Sequence, residues 1–260
     1  MKRTVTGRTA IFLSIRDKAT RLPGKATLEV RGKPVIERLL TRLGTSQEAD
    51  LIALTTSVHP NDVHLMRRAR QAGLEAFAGS QDDKLRRYLD AAREFDVDFA
   101  VIVDGDDLFC SVEHIDESIR RFREEPADYI TQEGLPLGAA SFGVRISSLE
   151  QVVAAKSETD TEVWGEYFTS RSDFRIVTIE ETDPVLRHPD VRMTLDYPED
   201  LAFFRAVYQE YGGESEPTLR EVMTILRDHP AILEINREAQ FKYEDNLKLR
   251  KPSRFRGTRA

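Results

Sequence analysis

The chain has 260 residues, of which 40% are hydrophobic and 32% charged, and a formal net charge of −7. These values are typical of an ordinary globular protein, and the negative charge argues against a duplex-binding protein, which usually carries a broad basic face. A single cysteine, Cys110, excludes an intrachain disulfide framework and a cysteine-based metal cluster. No apolar run approaches the roughly 20 residues that span a bilayer, so we expect a cytoplasmic protein with no membrane insertion.

Strand and helix patterns alternate along the first 130 residues. Apolar runs predict strands at 8–15, 51–55, 74–78, 99–103 and 128–131. Helical spacing of apolar residues predicts helices at 34–43, 61–72, 82–94 and 112–122. This order indicates an α/β protein whose mostly parallel sheet carries helices on both faces. Ligands of such sheets bind outside the carboxyl ends of the strands.

The second half of the chain is less regular. The pattern predicts strands at 139–146, 174–179 and 191–195, and helices at 148–155, 198–211 and 218–227. We interpret residues 1–240 as one domain with an excursion around 132–190. Residues 241–260 form a basic C-terminal tail, which we expect to be a solvated terminus.

A cationic segment follows the first predicted strand. Arg16, Lys18, Arg21 and Lys25 lie within ten residues, together with a Pro-Gly turn at 23–24. A buried strand that leads into a glycine-containing cationic loop commonly presents backbone N–H groups and positive charge to a polyphosphate. The segment therefore points to a bound nucleotide.

An acidic loop, Asp104-Gly105-Asp106-Asp107, follows the strand at 99–103. Its carboxylates repel one another unless a cation is present, and hard oxygen ligands suit Mg²⁺. The alternative is a polar turn in which Asp107 or Ser111 caps the next helix.

Asp196 is a second, separated carboxylate. It ends the strand predicted at 191–195, and Pro198, Glu199 and Asp200 fit the first turn of the next helix. Asp196 is thus either the cap of that helix or the other ligand of the same ion. A cationic loop with two such carboxylates suits nucleotidyl transfer, in which cations neutralise a triphosphate and an acceptor oxygen attacks the α-phosphorus.

These residues carry a family resemblance. Arg16-Asp17-Lys18-Ala19-Thr20-Arg21-Leu22-Pro23-Gly24-Lys25 resembles the Ala-Arg-x-x-Ser-Thr-Arg-Leu-Pro-Gly-Lys loop of the CMP-sugar synthetases, which include the acylneuraminate and Kdo cytidylyltransferases. Four further segments are similar to that family in the same order: 32–36, 79–88, 105–107 and 194–201. The Gly-Ser-Gln-Asp-Asp-Lys-Leu-Arg-Arg-Tyr run at 79–88 is closest to the spore-coat-polysaccharide branch.

The resemblance implies a three-layer α/β/α nucleotide-diphospho-sugar transferase fold, which is Rossmann-like. It implies a Mg²⁺-dependent cytidylyltransferase that moves CMP from CTP to an acidic sugar or related anionic acceptor and releases pyrophosphate, in CMP-sugar and polysaccharide biosynthesis. A homodimer is also implied.

The same resemblance assigns roles to single residues. Three basic side chains would hold the triphosphate and carry catalysis: Arg16, Arg21 and Lys25. Two aspartates would bind Mg²⁺: Asp106 and Asp196. The nucleotide pocket would further include Thr20, Gly79, Ser80 and Asp83.

Two other functions remain open from the sequence. Asp104-Gly105-Asp106 also fits the Asp-x-Asp of a GT-A-type glycosyltransferase that consumes a nucleotide sugar, although a triphosphate requires more cations than a diphosphosugar. The segment 161–168 follows the family pattern only loosely and lacks its histidine, which motivates a nucleotide-binding relative without turnover.

Overall fold

A computed structural model describes residues 7–17, 21–125, 127–161 and 163–248. Its strands are β1 (Thr9–Ser14), β2 (Glu29–Val30), β3 (Lys33–Pro34), β4 (Leu51–Ser57), β5 (Glu75–Gly79), β6 (Phe99–Asp104), β7 (Tyr129–Glu133), β8 (Phe142–Arg145) and β9 (Ile176–Glu180). Its α-helices are α1 (Val35–Leu43), α2 (Val63–Gln71), α3 (Lys84–Glu94), α4 (Val112–Glu124), α5 (Ile146–Ala155), α6 (Glu166–Thr169), α7 (Pro198–Tyr211), α8 (Leu219–Asp228) and α9 (Arg237–Lys248).

A seven-stranded sheet in the order β5-β4-β1-β6-β8-β7-β9 forms the centre of the molecule. Strands β5, β4, β1 and β6 are parallel neighbours, and β8 runs antiparallel to both β6 and β7. In the register, Ser14 lies opposite Asp104 and Ser57 lies opposite Gly79. The carboxyl ends of these four strands therefore meet at one edge. The predicted α/β class with a mostly parallel sheet is confirmed.

Alternation along β1 separates two hydrophobic cores. Ile11 and Leu13 pack in the cluster that contains residues of α1, α2, α4, α7 and α8. Ala10 and Phe12 pack on the other face with residues of α3 and α5. Because successive strand residues point to opposite faces, both faces of the sheet must be covered by helices, as the three-layer arrangement requires.

Most predicted elements occur within a few residues of their expected bounds, and α7 occupies 198–211 as predicted. Pro198 suits the first turn of α7 because it lacks the N–H that would have no partner there, and Gly212 follows the helix with a φ of 65°. The first residues of the expected basic tail belong to α9, and residues 249–260 lie outside the described ranges. The domain boundary at residue 240 stays a prediction.

The strand predicted at 191–195 is wrong. This segment forms a single isolated bridge between Leu137 and Arg192 and does not join the sheet. Both edges of β6 are already paired, with β1 on one side and β8 on the other, so no ladder there is open to a further strand. The segment instead extends past the acidic loop, where the Leu195 N–H donates to the Asp106 carbonyl at 2.9 Å.

No helix in the described part of the chain is long and apolar enough to cross a membrane.

Candidate active site at the carboxyl edge of the sheet

The loops after β1 and β6 meet at the carboxyl edge. The Gly105 N–H donates to the Ser14 carbonyl at 2.9 Å, which joins the two loops directly. A Cβ on Gly105 would lie only 2.1 Å from Cγ1 of Ile15, so any larger residue at 105 would force the loops apart. The glycine of the acidic loop therefore permits close packing of the two segments that the sequence singled out.

Lys25 lies between the two aspartates that the sequence proposed as metal ligands. It opens a short 3-10 turn, Lys25–Thr27, after Gly24, which has a φ of 68°. Its ammonium nitrogen is 2.7 Å from Asp106 Oδ2, 3.5 Å from Asp196 Oδ1 and 3.0 Å from the Leu195 carbonyl oxygen. Burial alone would lower the pKa of Lys25, but the two carboxylates outweigh it and raise that pKa. Lys25 is therefore a fixed positive charge shared by both aspartates.

Asp196 is not the capping residue of α7. Oδ2 of Asp200 accepts the backbone N–H groups of Asp196 and Tyr197, both at 2.9 Å. The buried Asp196 carboxylate instead bonds to Arg21 at 2.7 Å and lies 3.4 Å from Arg192. This excludes the simple cap interpretation, because the carboxylate is directed at cations of the site.

The acidic loop has a donor set that fits a divalent cation. One oxygen from each of Asp104, Asp106 and Asp107 can be chosen so that all three lie within 4.8 Å of one another. Burial, and then the charges of Asp106 and Asp104, raise the pKa of Asp107 well above its ordinary value. Such crowding of carboxylates is relieved by a cation. Of the two caps that the sequence offered for the next helix, Ser111 is confirmed, since it caps α4 through the His114 N–H, and Asp107 is not the cap.

A cavity of about 1020 Å³ surrounds these groups. Arg16, Arg21 and Lys25 line it together with Asp106 and Asp196. Arg16 also donates to the Gln81 carbonyl. Burial, and then the nearby Arg87, lower the pKa of Arg16 from its ordinary value. The structure thus brings together the five catalytic and metal-binding residues that the sequence proposed.

An aromatic wall forms another part of the cavity. Trp164, Tyr129 and Phe142 line it, and Trp164 contacts both neighbours edge to face, with ring centroids 6.0 and 5.5 Å apart. Trp164 is 5% exposed, so it belongs mainly to the hydrophobic core while it also lines the cavity. Such a wall can bind the apolar face of a sugar or base.

Three of the remaining residues proposed for the nucleotide pocket, Gly79, Ser80 and Asp83, do not line the cavity. Asp83 accepts the Arg86 N–H at 3.0 Å as the cap of α3, and its carboxylate pairs with the buried Lys156. Gly79 ends β5, and the Ser80 hydroxyl accepts the Asp83 N–H at 3.2 Å. Thr20 lies outside the described residues. Direct contact of these four residues with a nucleotide stays a prediction.

Lys84 is a cation of the site that the sequence analysis missed. It is 9% exposed, lines the cavity and lies 3.0 Å from Asp104 Oδ1. Burial would lower the pKa of Lys84, but Asp104 raises it overall. Lys84 is the variable residue of the Asp-Asp-x-Leu motif, to which the resemblance gave no role. Its position at the start of a helix that follows the carboxyl edge of the sheet could have indicated that it belongs to the site.

Comparisons with known proteins show the family to which the chain is similar. A family model described as cytidylyltransferase matches residues 10–252. The chain is 24% identical over 225 residues to the spore coat polysaccharide biosynthesis protein SpsF of Bacillus subtilis, covering 84% of this chain and 94% of that protein. It is 27% identical over 121 residues to a 3-deoxy-manno-octulosonate cytidylyltransferase of Francisella philomiragia, covering 45% and 46% of the two chains.

The fold is similar to that of a cytidylyltransferase from Leptospira borgpetersenii, with a TM-score of 0.79, 20% identity, and coverage of 87% of this chain and 97% of the other. This likeness confirms the fold that the sequence predicted.

Proposed function

Since this chain belongs to the cytidylyltransferase family, we propose that it moves CMP from CTP to an acidic sugar or a related anionic acceptor, with Mg²⁺ as cofactor. The observation that carries the proposal is the position of Lys25, whose ammonium contacts both Asp106 and Asp196 inside a cavity lined by Arg16 and Arg21. In the reaction, an acceptor oxygen bonds to the α-phosphorus, the bond to the bridging oxygen of pyrophosphate breaks, and the acceptor proton passes to water.

The basic side chains provide the electrostatic part of this reaction. Arg16, Arg21, Lys25 and Lys84 all line the cavity, where Asp196, Asp106 and Asp104 pair with the last three of them. With Mg²⁺ bound to carboxylates of the site, these cations would offset part of the charge of a triphosphate. Fixed cations directed at a site where negative charge develops lower the barrier without reorganising during the reaction. Four cations favour a triphosphate donor over a diphosphosugar, which supports nucleotidyl transfer over glycosyl transfer.

We propose that Asp106 and Asp196 hold the Mg²⁺, with Asp104 and Asp107 close by. A bound Mg²⁺ would neutralise phosphate charge and orient the reacting groups. The carboxylates of the acidic loop fit this ion, because hard oxygen donors are its usual protein ligands.

The size and walls of the cavity suit a ligand as large as a nucleotide. Its volume of about 1020 Å³ is at the upper end of the range of about 300–1,000 Å³ that holds one drug-sized ligand. The name of the Francisella relative specifies a sugar acid as its acceptor, which motivates an anionic acceptor here. We further propose that the enzyme acts as a cytoplasmic homodimer, which sedimentation of the purified protein and cell fractionation would test.

Pyrophosphate release tests the proposed function. The purified protein is supplied with Mg²⁺, each of the four nucleoside triphosphates in turn, and a panel of sugar acids beside their neutral counterparts. We expect release with CTP and a sugar acid, and none without Mg²⁺. Release of a nucleoside diphosphate from a nucleotide sugar would instead support the glycosyltransferase. Binding of CTP without any product would support a relative that lacks turnover.

A further inference from the structure

Arg87 is a fully buried arginine beneath the cavity. It lies on α3 with no exposed surface. Its guanidinium donates to the Ser80 carbonyl at 2.9 Å and to the Ser14 hydroxyl at 3.3 Å, and Nε has no hydrogen-bond partner. Every acceptor that Arg87 reaches is therefore a neutral group.

The positive charge of Arg87 has no counter-ion among the described residues. Two other buried arginines in the described ranges bond to carboxylates, Arg38 at 2.8 Å from Glu216 and Arg192 at 2.9 Å from Asp200, whereas Arg42, like Arg87, bonds to a backbone carbonyl. Arg87 forms no such ion pair with any residue in the ranges 7–17, 21–125, 127–161 and 163–248. A buried charge without an opposite charge is strongly unfavourable, so an anion supplied from outside the chain would stabilise it.

Ser14 connects Arg87 to the cavity. It ends β1, lines the cavity and accepts hydrogen bonds from both Arg87 and Tyr88, the latter at 2.8 Å. The charge of Arg87 also acts on Arg16, which lines the cavity, since it contributes to the lowered pKa of Arg16. Arg87 thus lies directly behind the first residues of the cationic loop.

Gly79 and Ser80 make room for this arrangement. A Cβ on Gly79 would lie 3.2 Å from Cγ of Arg87 and 2.7 Å from the Phe77 ring. The Ser80 carbonyl holds the guanidinium in place. The Gly-Ser pair of the 79–88 motif therefore positions Arg87.

We propose that Arg87 is a positioning residue of the nucleotide site, which holds Ser14 and the start of the cationic loop, and whose charge is compensated by the phosphates of the bound nucleotide. This inference rests on the proposed function, because it takes the anion to be the nucleoside triphosphate. The interaction acts through the low-dielectric interior, where charges are weakly screened, and so it strengthens with the charge of the ligand.

Arg87→Gln tests the proposal, and Arg42→Gln is its matched control. Arg42 is also buried and bonds to a backbone carbonyl, that of Pro217 at 2.7 Å, and its Nε likewise has no hydrogen-bond partner. Neither Arg42 nor Pro217 lines the cavity. Calorimetry measures the dissociation constants of CTP, CMP and cytidine with Mg²⁺ for each protein. We expect Arg87→Gln to weaken the binding of CTP about tenfold more than the binding of cytidine, with an intermediate effect on CMP. Arg42→Gln should leave the ratio of the CTP and cytidine dissociation constants unchanged.

Each outcome bears on the inference. Equal affinities in Arg87→Gln and wild type, or equal losses for CTP and cytidine, would overturn the role of Arg87 while leaving the proposed function intact. A wild-type protein that binds none of the four triphosphates would overturn both. If the glutamine variant does not fold, Arg87→Lys decides. Arg87→Lys keeps the positive charge, so the ratio of its CTP and cytidine dissociation constants should stay within about threefold of the wild-type ratio, while its kcat should fall. A kcat equal to that of the wild type, or a ratio as altered as expected for Arg87→Gln, would reject the proposal.

Discussion

At the residue scale, Lys25 is confined between two carboxylates that must otherwise repel each other. Its side chain is 16% exposed, and that of Asp196 is 6% exposed. The raised pKa of Lys25 keeps the ammonium charged at neutral pH. A triphosphate and a metal ion that enter the cavity would therefore meet charges that are already oriented, which is the condition for strong electrostatic catalysis.

Replacement of this lysine separates catalysis from folding. Lys25→Ala should lower the rate of pyrophosphate release by about 10²–10³-fold, because a charge facing the developing negative charge is removed. The melting temperature should fall only modestly, since Asp196 keeps its ion pair with Arg21 and the Asp106 side chain is 23% exposed. Lys33→Ala is the control, as Lys33 is exposed and does not line the cavity. A near-normal rate in Lys25→Ala would refute the proposed role.

Asp196 provides a test of the metal site. Asp196→Asn should sharply raise the Mg²⁺ concentration needed for half-maximal activity, because a charged ligand is replaced by a neutral one. Titration of activity with Mg²⁺ at saturating CTP measures this. Asp173→Asn, at an exposed position paired with Arg171, should leave the requirement unchanged. An unaltered requirement in Asp196→Asn would mean that Asp196 holds only Arg21 and Lys25.

The residues of the site were predictable to the extent that they lie in contiguous motifs. Arg21, Lys25, Asp106 and Asp196 were identified because each stands in a recognisable local pattern. The convergence of Arg21, Lys25 and Asp106 then followed from the rule that loops after parallel strands share an edge, whereas Asp196 reaches the site on a segment outside the sheet. Lys84 was not identified, because its importance comes from an ion pair with Asp104, and that pairing depends on where α3 packs against the sheet.

At the element scale, the start of α7 is fixed by a buried charge network. Arg192 donates to both oxygens of Asp200, at 2.9 and 3.0 Å, and Asn236 donates to Oδ1 of the same carboxylate at 3.1 Å. Asp200 also accepts two backbone N–H groups at the helix start. The network therefore joins α7 to the segment before it and to the segment that leads into α9, and it holds the Asp196 backbone in place.

Asp200→Asn should destabilise the protein by about 3 kcal/mol, because removal of one partner leaves the buried Arg192 without its main counter-ion. Urea unfolding followed by circular dichroism measures the free energy of unfolding. Glu199→Gln, which affects only an exposed pair with Lys242, should change that free energy by less than about 1 kcal/mol. Equal effects of the two substitutions would show that the network does not stabilise the start of α7.

The elements themselves differed in how well the sequence predicted them. Helix α7 was predicted closely because apolar residues at helical spacing follow Pro198, and both are local signals. The segment 191–195 is as apolar as a strand, yet its backbone groups bond to the loop at 137 and to Asp106. Whether an apolar segment joins a sheet depends on a free neighbouring strand, and that information is tertiary.

At the scale of the whole molecule, the cavity lies where distant parts of the chain meet. The loops after β1 and β6, the start of α3, the segment 135–140, the aromatic wall and Asp196 all line it. A ligand in this cavity would hold together segments that are separated by up to 180 residues. Binding should therefore stabilise the fold as a unit and reduce local opening at several places together.

Hydrogen exchange with and without Mg²⁺ and CTP tests this coupling. At 100 times the dissociation constant, the ligand should add about 2.7 kcal/mol of stability, which corresponds to a rise of roughly 5–11 °C in melting temperature for a chain of this size. Backbone amides at 104–107 and at 194–196 should become protected together, because both segments supply carboxylates to one site. Lys25→Ala should show neither effect, and Mg²⁺ with inorganic phosphate controls for nonspecific anion binding. Protection of 104–107 without 194–196 would mean that the two carboxylates do not serve a common ligand.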